Sequence, residues 1–157
     1  MLLDEINKVL LMINEKIVPL DQETKTAVSN LNGFKVEFRL SGEEELLRLS
    51  AAVFEVENIY DDAFQTLSKE IMILNSPEKL PSDLRLGVDT VDQTVTMQGV
   101  IDVSGALDAE SIGFYIKTML FYLPEVREDL LKVLAARQEE QEAAITQESA
   151  AFFADEV

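Results

Sequence analysis

The spacing of hydrophobic residues along the chain changes several times, and each change marks an element. Leu2, Leu3, Ile6, Val9, Leu10, Ile13 and Ile17 recur mostly at separations of three and four. That is one face of an amphipathic helix, expected over roughly residues 2–16 and ended by Pro19. A period of two follows. Ala27 to Leu31 reads as a short strand, and Asn32-Gly33 is the favoured pair for a tight type I′ hairpin. Phe34, Val36, Phe38 and Leu40 then alternate with Lys35, Glu37 and Arg39, which predicts a strand with one apolar and one charged face. After a turn at Ser41-Gly42-Glu43-Glu44, Leu47, Leu49, Ala51 and Val53 alternate again in a third strand near 46–56, with Phe54 and Val56 out of phase. The run is an antiparallel meander.

The pattern returns to helical spacing at Ala63, Phe64, Leu67, Ile71 and Leu74, predicting a second helix over about 61–74, capped by Asp61 or Asp62 and stopped by Asn75-Ser76-Pro77. Leu84, Leu86 and Val88, then Val95, Met97 and Ile101, form a second hairpin about Val91-Asp92-Gln93, with Gly99 a bulge or a point of close contact. Asp108 caps a third helix striped by Ile112, Tyr115, Ile116, Met119, Leu120 and Leu123. Pro124 interrupts that stripe, so a fourth helical piece is expected to start there, carrying Val126, Leu130, Leu131, Val133 and Leu134. The order helix, three strands, helix, two strands, helix predicts an α+β domain around one antiparallel sheet of about five strands. It fills residues 1–137, and residues 138–157 form an acidic tail, a frayed helix or a disordered segment.

Composition narrows the function. The 157 residues include 30 Asp+Glu against 13 Lys+Arg, a net charge of −17, and no His, Cys or Trp. Six acids and no base lie in 138–157, leaving −11 on the body. A surface this acidic opposes binding to nucleic acid and to anionic membranes. Without Cys there is no thiolate chemistry, and without His neither a Ser-His-Asp triad nor the commonest metal ligand. Acids stand at the N-terminus where a signal peptide has bases, and no apolar run approaches the ~20 residues of a membrane span. A soluble, cytoplasmic protein is expected.

Only carboxylates are plentiful enough for chemistry. Asp89 and Asp92, Asp61 and Asp62, and Asp102 and Asp108 stand in pairs, but each has an ordinary explanation as a turn residue or cap. None has the spacing of a calcium loop, and no phosphate loop is present. No enzyme, metal or cofactor is expected. Binding is better motivated, because several elements carry more apolar residue than one core face needs: Leu11 and Met12, Phe54 and Val56, Met72 and Ile73, and Phe121. Such surplus serves a dimer interface or a groove for an apolar segment of another protein.

The stretch from Phe64 to Leu134 carries a further signal. A helix ends at Leu74-Asn75, a strand reads Leu84-Arg85-Leu86-Gly87-Val88-Asp89, its partner reads Val95-Thr96-Met97-Gln98-Gly99-Val100, and Leu107-Asp108 opens the last helix. In this order, in an acidic chain of this size, the pattern resembles the class I chaperones of bacterial type III secretion, the Tir-chaperone family. The resemblance implies a homodimer meeting through the second helix and an adjacent strand, here Ala63, Phe64, Leu67 and Ile71 with Leu86 and Val88. It also implies that the non-globular N-terminal segment of a secreted effector wraps around the dimer, on apolar patches carried over to Leu3, Leu10, Phe34, Val36 and Phe38. No cofactor is implied. A second bacterial family of the same fold, small proteins resembling sensory-transduction regulators, implies instead a folded regulatory partner and no secreted client.

Overall fold

In a computed structural model the described residues are 2–56, 62–81, 83–105 and 108–155, with side chains described outside 62–63 and 148–155. The elements are α1 (Leu2–Ile13), β1 (Thr26–Leu31), β2 (Phe34–Leu40), β3 (Leu46–Glu55), α2 (Asp62–Leu74), β4 (Leu84–Asp89), β5 (Thr94–Asp102) and α3 (Ala109–Asp155). The strands form one antiparallel sheet in the order β1-β2-β3-β5-β4. This is the α+β fold that the spacing predicts. Asp61, the alternative helix cap, lies outside the described residues.

Local sequence accounts for the joints. Asn32 and Gly33 both have positive φ, 53° and 84°, as a type I′ turn requires, and they set the β1–β2 register at Leu31 opposite Phe34. Register shifts between Ala52 and Phe54 in β3, so the phase break at Phe54 is a β-bulge. Gly99 sits at a regular position of β5 and is a close contact, not a bulge. A Cβ there would collide with the Tyr115 hydroxyl, which lies over Gly99 and donates to the Asp83 carbonyl at 2.8 Å.

The alternation of each strand sends one set of side chains under the helices. Leu31, Phe34, Val36, Phe38, Leu47, Leu49, Ala51 and Met97 are buried there with Leu3, Ile6 and Leu10 of α1 and Ile112, Ile116, Met119 and Leu123 of α3. Burying such side chains stabilises the fold by about 1.5–3 kcal/mol each before chain entropy is opposed to it. Among the described residues the opposite face carries no helix and is mostly polar: Lys35, Glu37, Arg39, Arg48, Ser50, Thr96 and Gln98.

The expected break at Pro124 is absent. α3 runs unbroken for 47 residues with Pro124 inside it, a length of about 70 Å. An interior proline costs about 3 kcal/mol through its missing N–H and its ring. Leu123, Val126 and Leu130 on either side are all buried in the core, and that packing holds the helix across the defect. Beyond residue 137 the helix leaves the body, and every described side chain from Gln138 to Gln147 is exposed.

Candidate partner-binding surface

The structure separates two groups of apolar residues that look alike in the sequence. Leu3, Leu10, Phe34, Val36 and Phe38, the residues carried over as partner contacts, are 0–7% exposed. They are the protomer's own core, because they occupy the inward positions of α1 and β2. Phe34, 7% exposed, also lines the groove beside the β1–β2 turn. Of the residues carried over to a dimer interface, Leu67, Ile71 and Leu86 are likewise buried, Phe64 and Val88 are half-buried, and the side chain of Ala63 lies outside the described set. The surplus residues behave differently. Leu11, Met12, Met72, Ile73 and Phe121 are 54%, 77%, 76%, 55% and 72% exposed, whereas Phe54 and Val56 are half-buried.

Two grooves lie beside these exposed residues. One, of about 460 Å³, runs between the end of α1 and the start of α3 and is lined by Met12, Ile13, Gly113, Phe114 and Lys117. A Cβ at Gly113 would stand at ordinary contact distance from Ile13, so this approach of the two helices does not require a glycine. Phe114, whose exposure the helical stripe did not reveal, is 73% exposed at the rim. The other, of about 580 Å³, lies between the β1–β2 turn and the middle of α3, lined by Asn32, Phe34, Pro124, Arg127, Leu131 and Lys132 among others.

The two edges of the sheet are also unlike. At β1, the Leu40 N–H bonds to the Lys25 carbonyl, so Ala27, Ser29 and Leu31 face β2 and Thr26, Val28 and Asn30 turn their backbone groups outward. The Thr26 carbonyl accepts from Asp21, but Val28 and Asn30 have no backbone partner on that side among the described residues. At β4 the Asn75 side chain acts as a short strand: Nδ2 donates to the Leu86 carbonyl at 3.0 Å and Oδ1 accepts from the Leu86 N–H at 2.7 Å. The Leu84 N–H is taken by the Pro81 carbonyl. Among the described residues β1 leaves two successive outward residues, Val28 and Asn30, without a backbone partner, whereas β4 leaves one, Val88.

The carboxylates have structural duties. Asp108 caps α3, accepting from the Glu110 N–H at 3.0 Å and from the Ser111 hydroxyl at 2.7 Å. These bonds, the hydroxyl foremost, hold its pKa below the usual carboxylate range. Asp102 is held low in the same way by the Ser104 hydroxyl and N–H, and Asp21 by the N–H groups of Thr24 and Glu23. Asp89 accepts from Val91 and Asp92 across its turn. Among the described residues no three acidic side chains gather as a metal site would need, and no helix is long and apolar enough to cross a membrane.

No protein-family model and no curated protein matches the chain. Solved structures do. A chain of the ExsC–ExsE complex superposes with a TM-score of 0.62 at 20% identity, covering 81% of this chain and 94% of that one. A chain of the HopA1–SchA chaperone–effector complex gives 0.58 at 17% identity, with 81% and 94% covered. A chain of the heterodimeric ExoU–SpcU complex from the type III secretion system of Pseudomonas aeruginosa gives 0.54 at 13%, with 82% and 96% covered. The resemblance to the class I chaperones of type III secretion therefore holds at the level of the fold.

Proposed function

We propose that the chain is a cytoplasmic type III secretion chaperone that binds the non-globular N-terminal segment of an effector and keeps it competent for export. The observation that carries this reading is the shared fold with chains solved in chaperone–effector complexes, over nearly the whole of those chains. Two features here suit such a client. The open backbone of Val28 and Asn30 offers main-chain hydrogen bonds to an extended strand. The groove beside Met12 and Phe114 offers apolar cover to the client's hydrophobic side chains. Ordering an unfolded segment costs roughly 2–5 kcal/mol, so a long contact combining both is needed to offset it. The net charge of −17 keeps the exposed apolar surface soluble and draws in a basic client.

Two copies meet in this reading across α2, through exposed Met72 and Ile73 rather than the buried Leu67 and Ile71. No catalytic step and no cofactor enters.

Native mass spectrometry of the tagged protein from its own cells tests the proposal. Two copies bound to one other chain are expected, with an N-terminal piece of that chain surviving mild proteolysis. A complex with an intact folded partner and no protected segment would favour the regulator-like reading, and a bare chain with no partner would overturn both.

A further inference from the structure

We infer that the cleft beside Arg39 and Arg48, on the face of the sheet that carries no helix among the described residues, is a binding site for a carboxylate side chain of a partner protein. It lies across the sheet from the groove at Met12 and Phe114 and does not rest on the chaperone reading.

The strand register sets this face out in rows. Thr26, Arg39, Arg48 and Val100 form one row, each opposite the next. Val28, Glu37, Ser50, Gln98 and Arg85 form the row beside it. The two rows hold three bases and one acid, in a chain with 30 acids and 13 bases. Here the local sign opposes that of the whole molecule.

Like charges directly opposite on neighbouring strands destabilise a sheet. Arg39 on β2 and Arg48 on β3 are such a pair. Little on the protein offsets them. Arg39 Nη2 donates to Glu37 Oε1 at 3.2 Å, but both side chains are exposed, 60% and 43%, and such a pair contributes little. Arg48 makes no ion pair among the described residues. Asp102, its diagonal neighbour on β5, is engaged instead by the Ser104 N–H at 2.9 Å and the Ser104 hydroxyl at 2.6 Å. An exposed strand position accepts many residues, and an acid opposite Arg39 would have made a favourable pair. A second arginine stands there.

A cleft of about 270 Å³ adjoins the pair, lined by Glu37, Arg39, Arg48, Ser50, Gln98 and Val100 among others. Its donors suit a carboxylate. A guanidinium presents two parallel N–H groups to the two oxygens, and with five N–H groups Arg39 can hold Glu37 and a second acid together. The Ser50 hydroxyl makes no hydrogen bond to protein among the described residues. Gln98 Nε2 gives one N–H to Thr96 Oγ1 at 3.0 Å and keeps another. Val100, 44% exposed, adds an apolar wall next to Arg48.

The surroundings select the kind of occupant. Towards the β4–β5 turn the same face carries Glu55, Asp89 and Asp92, which line a neighbouring cleft of about 390 Å³. Asp102 stands at the other end, opposite Leu46. A nucleic acid or an anionic lipid surface would set its remaining charges against these acids and against the net charge of −17. A protein segment with one carboxylate among neutral or basic residues meets the arginines without that repulsion. The occupant is an Asp or Glu of such a segment, with an aliphatic residue near it to cover Val100.

Two measurements on the full chain test the site. Arg48→Glu turns the like pair into an opposite one, and the midpoint of urea unfolding is expected to rise. An unchanged or lower midpoint overturns the inference, because the pair then carries no cost for a ligand to relieve. The second measurement follows the blocked peptide Val-Thr-Glu-Thr-Val by two-dimensional NMR. Saturable shifts are expected at the amides of Arg39, Arg48, Ser50, Gln98 and Val100. Binding should weaken about tenfold when Gln replaces the peptide's Glu, and about tenfold in Arg48→Ala with the original peptide. Equal binding of the two peptides, no saturable shift, or an Arg48→Ala protein that binds as before overturns the inference. So does inorganic phosphate or a short single-stranded DNA that binds these residues as tightly as the Glu peptide.

Discussion

The sheet has two outer strands of equal length, β1 and β4, and they are finished in opposite ways. Each spans six residues and pairs on one side only. At β4 the outward N–H and C=O of Leu86 are both bound by the amide of Asn75, and α2 stands beside the strand. At β1 the outward groups of Val28 and Asn30 are left to solvent or to a partner. The preceding segment is instead tied from the helix side: Asn7 accepts from the Leu20 N–H at 2.8 Å, and Ser29 Oγ accepts from the Val18 N–H at 2.8 Å. The molecule uses the same side-chain device twice, once where it closes an edge and once where it leaves the edge free. An unpaired edge is a hazard that proteins usually cover. A strand docking along β4 would have to displace the Asn75 amide from Leu86, whereas one docking along β1 meets Val28 and Asn30 open among the described residues.

That contrast can be broken from the β4 side with the largest effect. Gly99→Val puts a branched side chain into the space of the Tyr115 ring, between β3 and β4, and is expected to destabilise the fold by about 3 kcal/mol in urea unfolding. Asn75→Ala strips both partners from Leu86. The cost is expected near 2 kcal/mol, with faster hydrogen exchange at the Leu86 amide and not at β1. Little change in either would mean that α2 and not Asn75 closes this edge.

On the β1 side the expected effect is on binding. Val28→Pro removes an N–H that has no backbone partner among the described residues, so thermal stability should shift little, while a client segment should bind about tenfold more weakly. An equal affinity would place the client elsewhere. Met12→Glu and Met72→Glu should each change stability by no more than about 0.5 kcal/mol, because both side chains are largely exposed. The first should weaken client binding, and the second should shift dimer toward monomer in sedimentation.

The smallest effect is on pH. Asp21 seats the turn that leads into β1, and Asp102 and Asp108 hold the joint between β5 and α3; all three have pKa values lowered by the bonds they accept. Lowered folded-state values mean that their contribution is complete above the unfolded carboxylate value of about 3.9 and is lost as pH falls through the folded values. A two-dimensional NMR titration should show the Thr24 amide moving with Asp21 below about pH 4, with that movement absent in Asp21→Asn.

Most of the fold was legible because periodicity reports which face of an element is buried. Phe34, Val36, Phe38 and Leu40 could be assigned inward from alternation alone, and Asn32-Gly33 announced its turn through the backbone it tolerates. Which apolar residues stand exposed was less legible for the same reason. Phe34, Val36 and Phe38 are prominent in the sequence because they are regular, and regularity is the mark of the core. The residues that stand exposed, Leu11, Met12, Met72, Ile73 and Phe121, are those that spoiled the pattern. Pro124 misled in the other direction, since a local breaker was outweighed by burial on both sides of it.

The sequence by itself determined the order of the elements, the inward faces, the turns and the acidity, because these depend on neighbours a few residues apart. The tertiary structure alone decided which edge of the sheet is closed. Asn75 and Leu86 are eleven residues apart, and nothing in either residue shows that one amide will satisfy the other's backbone. It also decided that α3 runs on through Pro124, because the burial of Leu123, Val126 and Leu130 that outweighs the proline is supplied by elements distant in the chain.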